Sequence, residues 1–165
     1  MDRFAKALLG LSVVLLASPG VTAPVRLFAG GSWAALDRGA VCEAAALSER
    51  IVAKGQVQAV AGFTFTPDRR RWGEFYARLR RPVRPGSTVL LTIGGQPFML
   101  VARGDWAWSR GAAQEAAIIA AVRGSGRMNI DSRDTSGRRW RDPYRLDGAP
   151  TAIDAAAARC AGKMR

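Results

Sequence analysis

Residues 88–102, TVLLTIGGQPFMLVA, place two apolar runs, Thr88 to Ile93 and Gln96 to Ala102, on either side of the two-residue connection Gly94-Gly95. A two-residue loop rich in glycine between two such runs predicts a tight β-hairpin, because paired glycines reach the positive φ angles that short hairpin turns need. Downstream, Met128 to Arg133 and Arg138 to Leu146 predict a second hairpin across Asp134 to Gly137. Upstream, Arg71 to Arg80 alternates Phe75, Ala77 and Leu79 with Glu74, Tyr76, Arg78 and Arg80, the period of two of a half-buried strand. Gln56 to Thr66 ends in Phe63-Thr64-Phe65-Thr66, which puts both phenylalanines on one face before the turn at Pro67-Asp68. Leu27 to Leu36 reads as a strand with a glycine-permitted irregularity at Gly30-Gly31 and with Trp33 as a core anchor. It turns at Asp37-Arg38-Gly39 into a strand from Ala40 to Leu47.

Two segments break the strand pattern. Ala112 to Arg123 (AAQEAAIIAAVR) has helix propensity, with Ile118, Ile119 and Val122 directed inward and Gly124 as its stop. Thr151 to Cys160 predicts a second helix that starts at Pro150-Thr151. Short strands with turns every 8 to 15 residues and two helical insertions predict a mainly β chain, a β-sandwich with one or two short helices. At 165 residues there is room for a single domain with its own core.

The N-terminus has the layout of a secretory signal peptide: Arg3 and Lys6, the uncharged apolar run Ala7 to Ala17, then Ser18, Pro19 and Gly20. The apolar run is about half the roughly 20 residues needed to cross a bilayer, so removal is favoured over permanent anchoring. The expected organisation is a signal peptide over 1–23, cut after Ala23 with Gly20 as the alternative, and one domain over 24–165 in the periplasm or outside the cell. Cys42 and Cys160, 118 positions apart, form either one long-range bridge or two free thiols. An oxidising compartment favours the bridge, which stabilises by about 4 to 5 kcal/mol in a chain-entropy treatment.

The chain contains no histidine, which removes Ser-His-Asp and Cys-His catalysis and most zinc or copper sites. No metal or other cofactor is expected. Gly94-Gly95 and Gly124-Ser125-Gly126 lack the spacing and setting of a phosphate-binding loop and read as a turn and a helix stop. Two-carboxylate hydrolysis stays open through Asp131, Asp134, Asp142, Asp147 and Asp154, which equally suit turn and capping roles. The net charge of +12 falls by one on removal of the leader and is carried almost wholly by arginine. Such a chain attracts anions, and export directs the expectation to lipopolysaccharide or another envelope component and away from nucleic acid. Arg69-Arg70-Arg71-Trp72, continuing through Phe75, Tyr76, Arg78, Arg80, Arg81 and Arg84, mixes guanidinium groups with aromatic rings and is the candidate anion-binding surface. Arginines on the wet face of an edge strand also protect against aggregation, so both readings stand.

Several segments resemble one known family: Leu91 to Val101 (LTIGGQPFMLV), Trp106-Ala107-Trp108, Ala116 to Arg123 (AAIIAAVR), Tyr144 to Gly148 (YRLDG) and Ala152-Ile153-Asp154. Together they resemble the invasion-associated locus B family of exported alphaproteobacterial proteins, over roughly residues 88 to 160. That resemblance implies an immunoglobulin-like β-sandwich in the periplasm or at the outer envelope, and no catalytic motif. Members often carry further cysteines, and this chain has one pair. The resulting expectation is a non-enzymatic envelope protein that binds or stabilises an envelope component. The alternative is a small carboxylate-dependent hydrolase of envelope polysaccharide.

Overall fold

Alternating burial along the chain turns nearly every apolar run into a two-faced strand, as in Trp33, Ala35 and Asp37 or Val89, Leu91 and Ile93, all buried, with their neighbours partly exposed. A computed structural model describes residues 23–163. The expected signal peptide, apart from Ala23, lies outside the described residues. The strands are β1 (Val25–Gly30), β2 (Trp33–Asp37), β3 (Cys42–Leu47), β4 (Val60–Phe65), β5 (Trp72–Arg78), β6 (Val89–Ile93), β7 (Gln96–Arg103), β8 (Trp106–Trp108), β9 (Arg127–Arg133) and β10 (Arg139–Arg145). Helix α1 (Ala112–Arg123) lies between β8 and β9, and α2 (Ala149–Ala161) follows β10.

All pairings are antiparallel, in the order β1-β2-β3-β4-β5-β8-β7-β6-β9-β10. The fold is therefore mainly β with two short helices. Strand β7 joins the two halves: Gln96 to Leu100 pairs with β6, and Val101 to Arg103 pairs with β8. The halves also meet away from β7. The Ser32 amide donates to the Asp147 carbonyl at 3.0 Å, Trp33 Nε1 to the Arg145 carbonyl at 2.8 Å, and the Glu49 amide to the Pro143 carbonyl at 2.9 Å. One core lies between them, built on Trp33, Phe63, Phe75, Leu91, Ile130 and Tyr144.

Helix α2 packs small buried residues, Ala149, Ala152 and Ala156, towards β2 and β3, whose buried positions Ala35, Ala44 and Ala46 are also alanines. Small side chains on both surfaces let helix and sheet approach closely. Cys160 closes a disulfide to Cys42 on β3, with the two Cα atoms 5.8 Å apart and both residues fully buried. Beside the bridge, buried Asp37 accepts from Arg159 Nε at 2.6 Å and from Lys163. These three contacts pin the last turn of α2 and the residues just after it to β2 and β3.

Two expectations are corrected and one unanticipated strand is added. The stretch Leu27 to Leu36 is two strands, because Gly31-Ser32 makes a hairpin turn, with Gly30 paired to Trp33, instead of an irregularity within one strand. Gly31 has φ +58°, and a Cβ there would stand 2.2 Å from the Asp147 carbonyl oxygen. Trp106-Ala107-Trp108 is a strand of its own, held by β5 and β7 on either side. Helix α2 begins at Ala149, two residues early, with Gly148 at φ +85° preceding it.

Candidate functional site

Strand β5 carries the expected basic surface apart, since its seven residues span roughly 20 Å of extended chain. At one end, in the β4–β5 turn, the Arg69 guanidinium lies 4.7 Å from the Trp72 ring centroid, Arg70 pairs with Asp68 at 3.5 Å and Arg71 with Glu74 at 3.8 Å. Arg78, on the strand, pairs with Asp105 at 3.4 Å. Arg80, Arg81 and Arg84 lie beyond the other end, beside the β9–β10 hairpin. There Val83 bridges to Asp134, and the Arg84 amide donates to the Arg133 carbonyl at 2.9 Å.

Arg80 is no surface group. Its Nε stands 2.6 Å from Asp142 Oδ1, with side-chain exposures of 14% and 2%, in an ion pair without hydrogen-bond alignment. Burial pushes the Asp142 carboxyl above the usual range, while Arg80, Arg50 and Ser48 work in the opposite direction. The neighbouring Tyr144 hydroxyl is buried with no hydrogen-bond partner among the described residues, and burial raises its pKa as well.

Trp140, on β10, gathers the arginines at this end. The guanidinium of Arg80 lies 4.6 Å from its ring centroid, that of Arg138 4.7 Å and that of Arg81 5.9 Å. Its indole Nε1 donates to Asp134 Oδ2 at 2.7 Å, which fixes the ring. Asp134 also accepts from the amides of Ser136 and Arg138, both at 3.0 Å, and from the Ser136 hydroxyl at 2.6 Å. Those donors hold its carboxyl down at about 2, as a fully charged turn organiser.

The cross-strand register sharpens the charge pattern. Two like-charged pairs stand directly opposite each other on β9 and β10: Arg127 with Arg145, and Arg133 with Arg139. Such pairs are destabilising unless neutralised. The first is neutralised, by Glu49 at 3.3 Å from Arg127 and Asp147 at 3.2 Å from Arg145. The second is not: none of Arg81, Arg84, Arg133, Arg138 and Arg139 is in an ion pair among the described residues. On the outward face of β9 and β10, a hollow of about 420 Å³ is lined by two of these, Arg133 and Arg139, with the Arg141–Asp131 pair, Leu90 and Met99.

The five aspartates considered for hydrolysis are each engaged. Asp131 pairs with Arg141, Asp142 with Arg80, Asp147 with Arg145 and Asp154 with Arg123, and Asp134 holds its turn. Among the described residues no cluster of histidine, cysteine or carboxylate side chains could hold a metal ion, and no helix is long and apolar enough to cross a membrane. Reading the sequence for basic and aromatic residues found Arg81 and Arg84 but passed over Arg133, Arg138, Arg139 and Trp140. The signal was present, since Arg138-Arg139-Trp140 repeats the residue types of Arg70-Arg71-Trp72. No family model, curated protein or solved structure matches the chain.

Proposed function

We propose that this is a non-enzymatic exported envelope protein of the invasion-associated locus B type, and that it binds an anionic envelope component at the turn end of the β9–β10 hairpin, on the face where Arg133 and Arg139 stand opposite each other. The observation that carries the reading is the contrast on one hairpin between a neutralised arginine pair and an uncompensated one. Evolution of a like-charge pair without a carboxylate costs stability in the free protein, and a bound phosphate or carboxylate offsets that cost. Planar guanidiniums suit the bidentate recognition of phosphate. In an exported protein the accessible polyanion of this chemistry is phosphorylated lipopolysaccharide. Export is supported by the composition of the leader and by the disulfide, which belongs to oxidising compartments.

The test is a titration of purified lipopolysaccharide at several salt concentrations with two triple variants. Serine at Arg133, Arg138 and Arg139 is expected to weaken binding and flatten its salt dependence, because fewer counterions are then released. Serine at Arg69, Arg70 and Arg71, at the far end of β5, is expected to leave both nearly unchanged. Equal binding by wild type and the Arg133/Arg138/Arg139 variant removes the proposal. Intact-mass measurement of protein from its own periplasm is expected to show cleavage after Ala23 and an intact bridge, and a full-length reduced product contradicts export.

A further inference from the structure

The sheet face turned away from the core carries a second surface that the anion reading does not use. On this face the cross-strand register sets Gly62 beside Tyr76, Tyr76 beside Trp108, and Arg78 beside Trp106. Both helices send their buried residues into the core on the other side of the sheet, so neither covers these rings. Gly62 decides how Tyr76 lies. A Cβ at position 62 would stand 2.8 Å from Tyr76 Cζ, so the phenol lies down across the glycine and its hydroxyl donates to Glu43 Oε2 at 3.1 Å. Trp106 follows with its centroid 6.1 Å from that of Tyr76, and Trp108 is 6.5 Å further on with its plane within 11° of that of Trp106. Trp106 keeps 37% of its surface exposed, and Leu47, on the same face, 62%.

Two hollows, of about 800 Å³ and about 230 Å³, flank Tyr76 and share Glu43, Tyr76 and Trp106 as walls, so they form one trough across the strands. The charged side chains that line it are Arg38 with Glu43 at 2.5 Å, Arg71 with Glu74 at 3.8 Å, and Arg78, which pairs at 3.4 Å with Asp105 outside the lining. Each lining arginine thus has a carboxylate partner, which leaves the trough close to neutral on a chain of net charge +12. That balance works against a polyanion. It suits a neutral ligand with an apolar ring face and a rim of hydroxyls, because the rings offer flat π surfaces and the ion pairs offer in-plane donors and acceptors together.

We infer that the trough binds a neutral pyranose oligosaccharide, with sugar rings stacked on Tyr76, Trp106 and Trp108 and hydroxyls bonded to the Glu43 and Glu74 carboxylates. The inference does not depend on the anion site. The experiment titrates the full exported chain with cellopentaose, maltopentaose and penta-N-acetylchitopentaose, following tryptophan fluorescence and heat. At least one is expected to bind saturably below about 1 mM, with an affinity that salt leaves nearly unchanged. Trp106→Ala is expected to weaken that binding about tenfold or more, while Trp106→Phe, which keeps a flat ring, recovers most of it. The Arg133/Arg138/Arg139 serine variant is expected to bind the sugar as wild type does, which separates failure of this site from failure of the anion site. Trp106 is partly exposed, and an unchanged urea midpoint in Trp106→Ala shows that the fold survives. The inference is overturned if none of the three sugars binds, if Trp106→Ala binds as tightly as wild type, or if wild type self-associates and Trp106→Ala does not, since a second copy then covers the face.

Discussion

Opening the Cys42–Cys160 bridge is the perturbation whose size follows most directly from the chain. The bridge closes a loop of 118 residues, and the entropy denied to the unfolded chain by such a loop corresponds to about 4.9 kcal/mol at 25 °C. Both cysteines are fully buried, so a reductant reaches them only through opening of the fold, and the comparison is best made by unfolding in urea with reductant and refolding with the thiols kept reduced. Helix α2 retains its buried face, Ala152, Ile153 and Ala156, together with the Asp37 contacts to Arg159 and Lys163. The reduced protein is therefore expected to fold, with a weakened attachment of the helix. With a urea slope of about 2 kcal/mol/M, the midpoint should fall by about 2 to 3 M, and the slope should rise somewhat because the unfolded chain freed of its loop exposes more surface. A fall below about 0.5 M, or about 1 kcal/mol, refutes the loop-entropy reasoning and means that the unfolded chain is already restricted without the bridge. A lower slope refutes the assumption that the native state is the same in both forms, because the reduced protein then exposes less new surface on unfolding.

Removing the Arg80 guanidinium with Arg80→Met leaves Asp142 buried without its counterion, and urea melts should show a loss of about 3 to 5 kcal/mol near neutral pH. Because the Asp142 pKa is already raised in the fold, and rises further in the variant, stability should recover as the pH falls and the carboxyl takes up a proton. Asp37 has the opposite sign. Its hydrogen bonds from Lys163 and Arg159 hold its pKa well below the usual carboxylate range, so its contribution is complete above the unfolded chain's pKa of about 3.9 and is lost as the pH falls through the folded one. Asp37→Asn should therefore flatten the acid limb of the stability profile. Gly31→Ala forces an L side chain into φ +58° and against the Asp147 carbonyl, and should cost more than about 1 kcal/mol in thermal or urea unfolding.

Both later hairpins and both helices were legible because each announces itself locally, through Gly94-Gly95, through Asp134 to Gly137, or through the alanine-rich runs that end near glycine. Strand β8 was not: three residues are too few to show a period, and Trp106-Ala107-Trp108 becomes a strand only because β5 and β7 supply its hydrogen bonds. The Gly31-Ser32 turn was misread for a related reason, since it packs against and bonds to Asp147, 116 positions beyond Gly31 and invisible from its neighbours. Basic residues next to aromatics were visible, but their sorting was not. Sequence proximity joined Arg69 to Arg84, whereas the strand between them puts Arg70 and Arg81 near opposite ends of β5 and brings Arg138 onto the same Trp140 ring as Arg81. The tilt of Tyr76 across Gly62 depends on register, which no single strand encodes.

The bridge between β3 and α2 also sets an order of events during synthesis. Cys42 lies within the β1–β5 meander, and its partner Cys160 follows 118 positions later on α2, after all ten described strands. No other cysteine stands between the two, so until α2 has been made Cys42 meets no thiol in that stretch, and the hazard is confined to encounters between molecules. Oxidation becomes a report that the sheet is already present: a closed Cys42–Cys160 loop can exist only on a chain that holds β1 to β10 and α1.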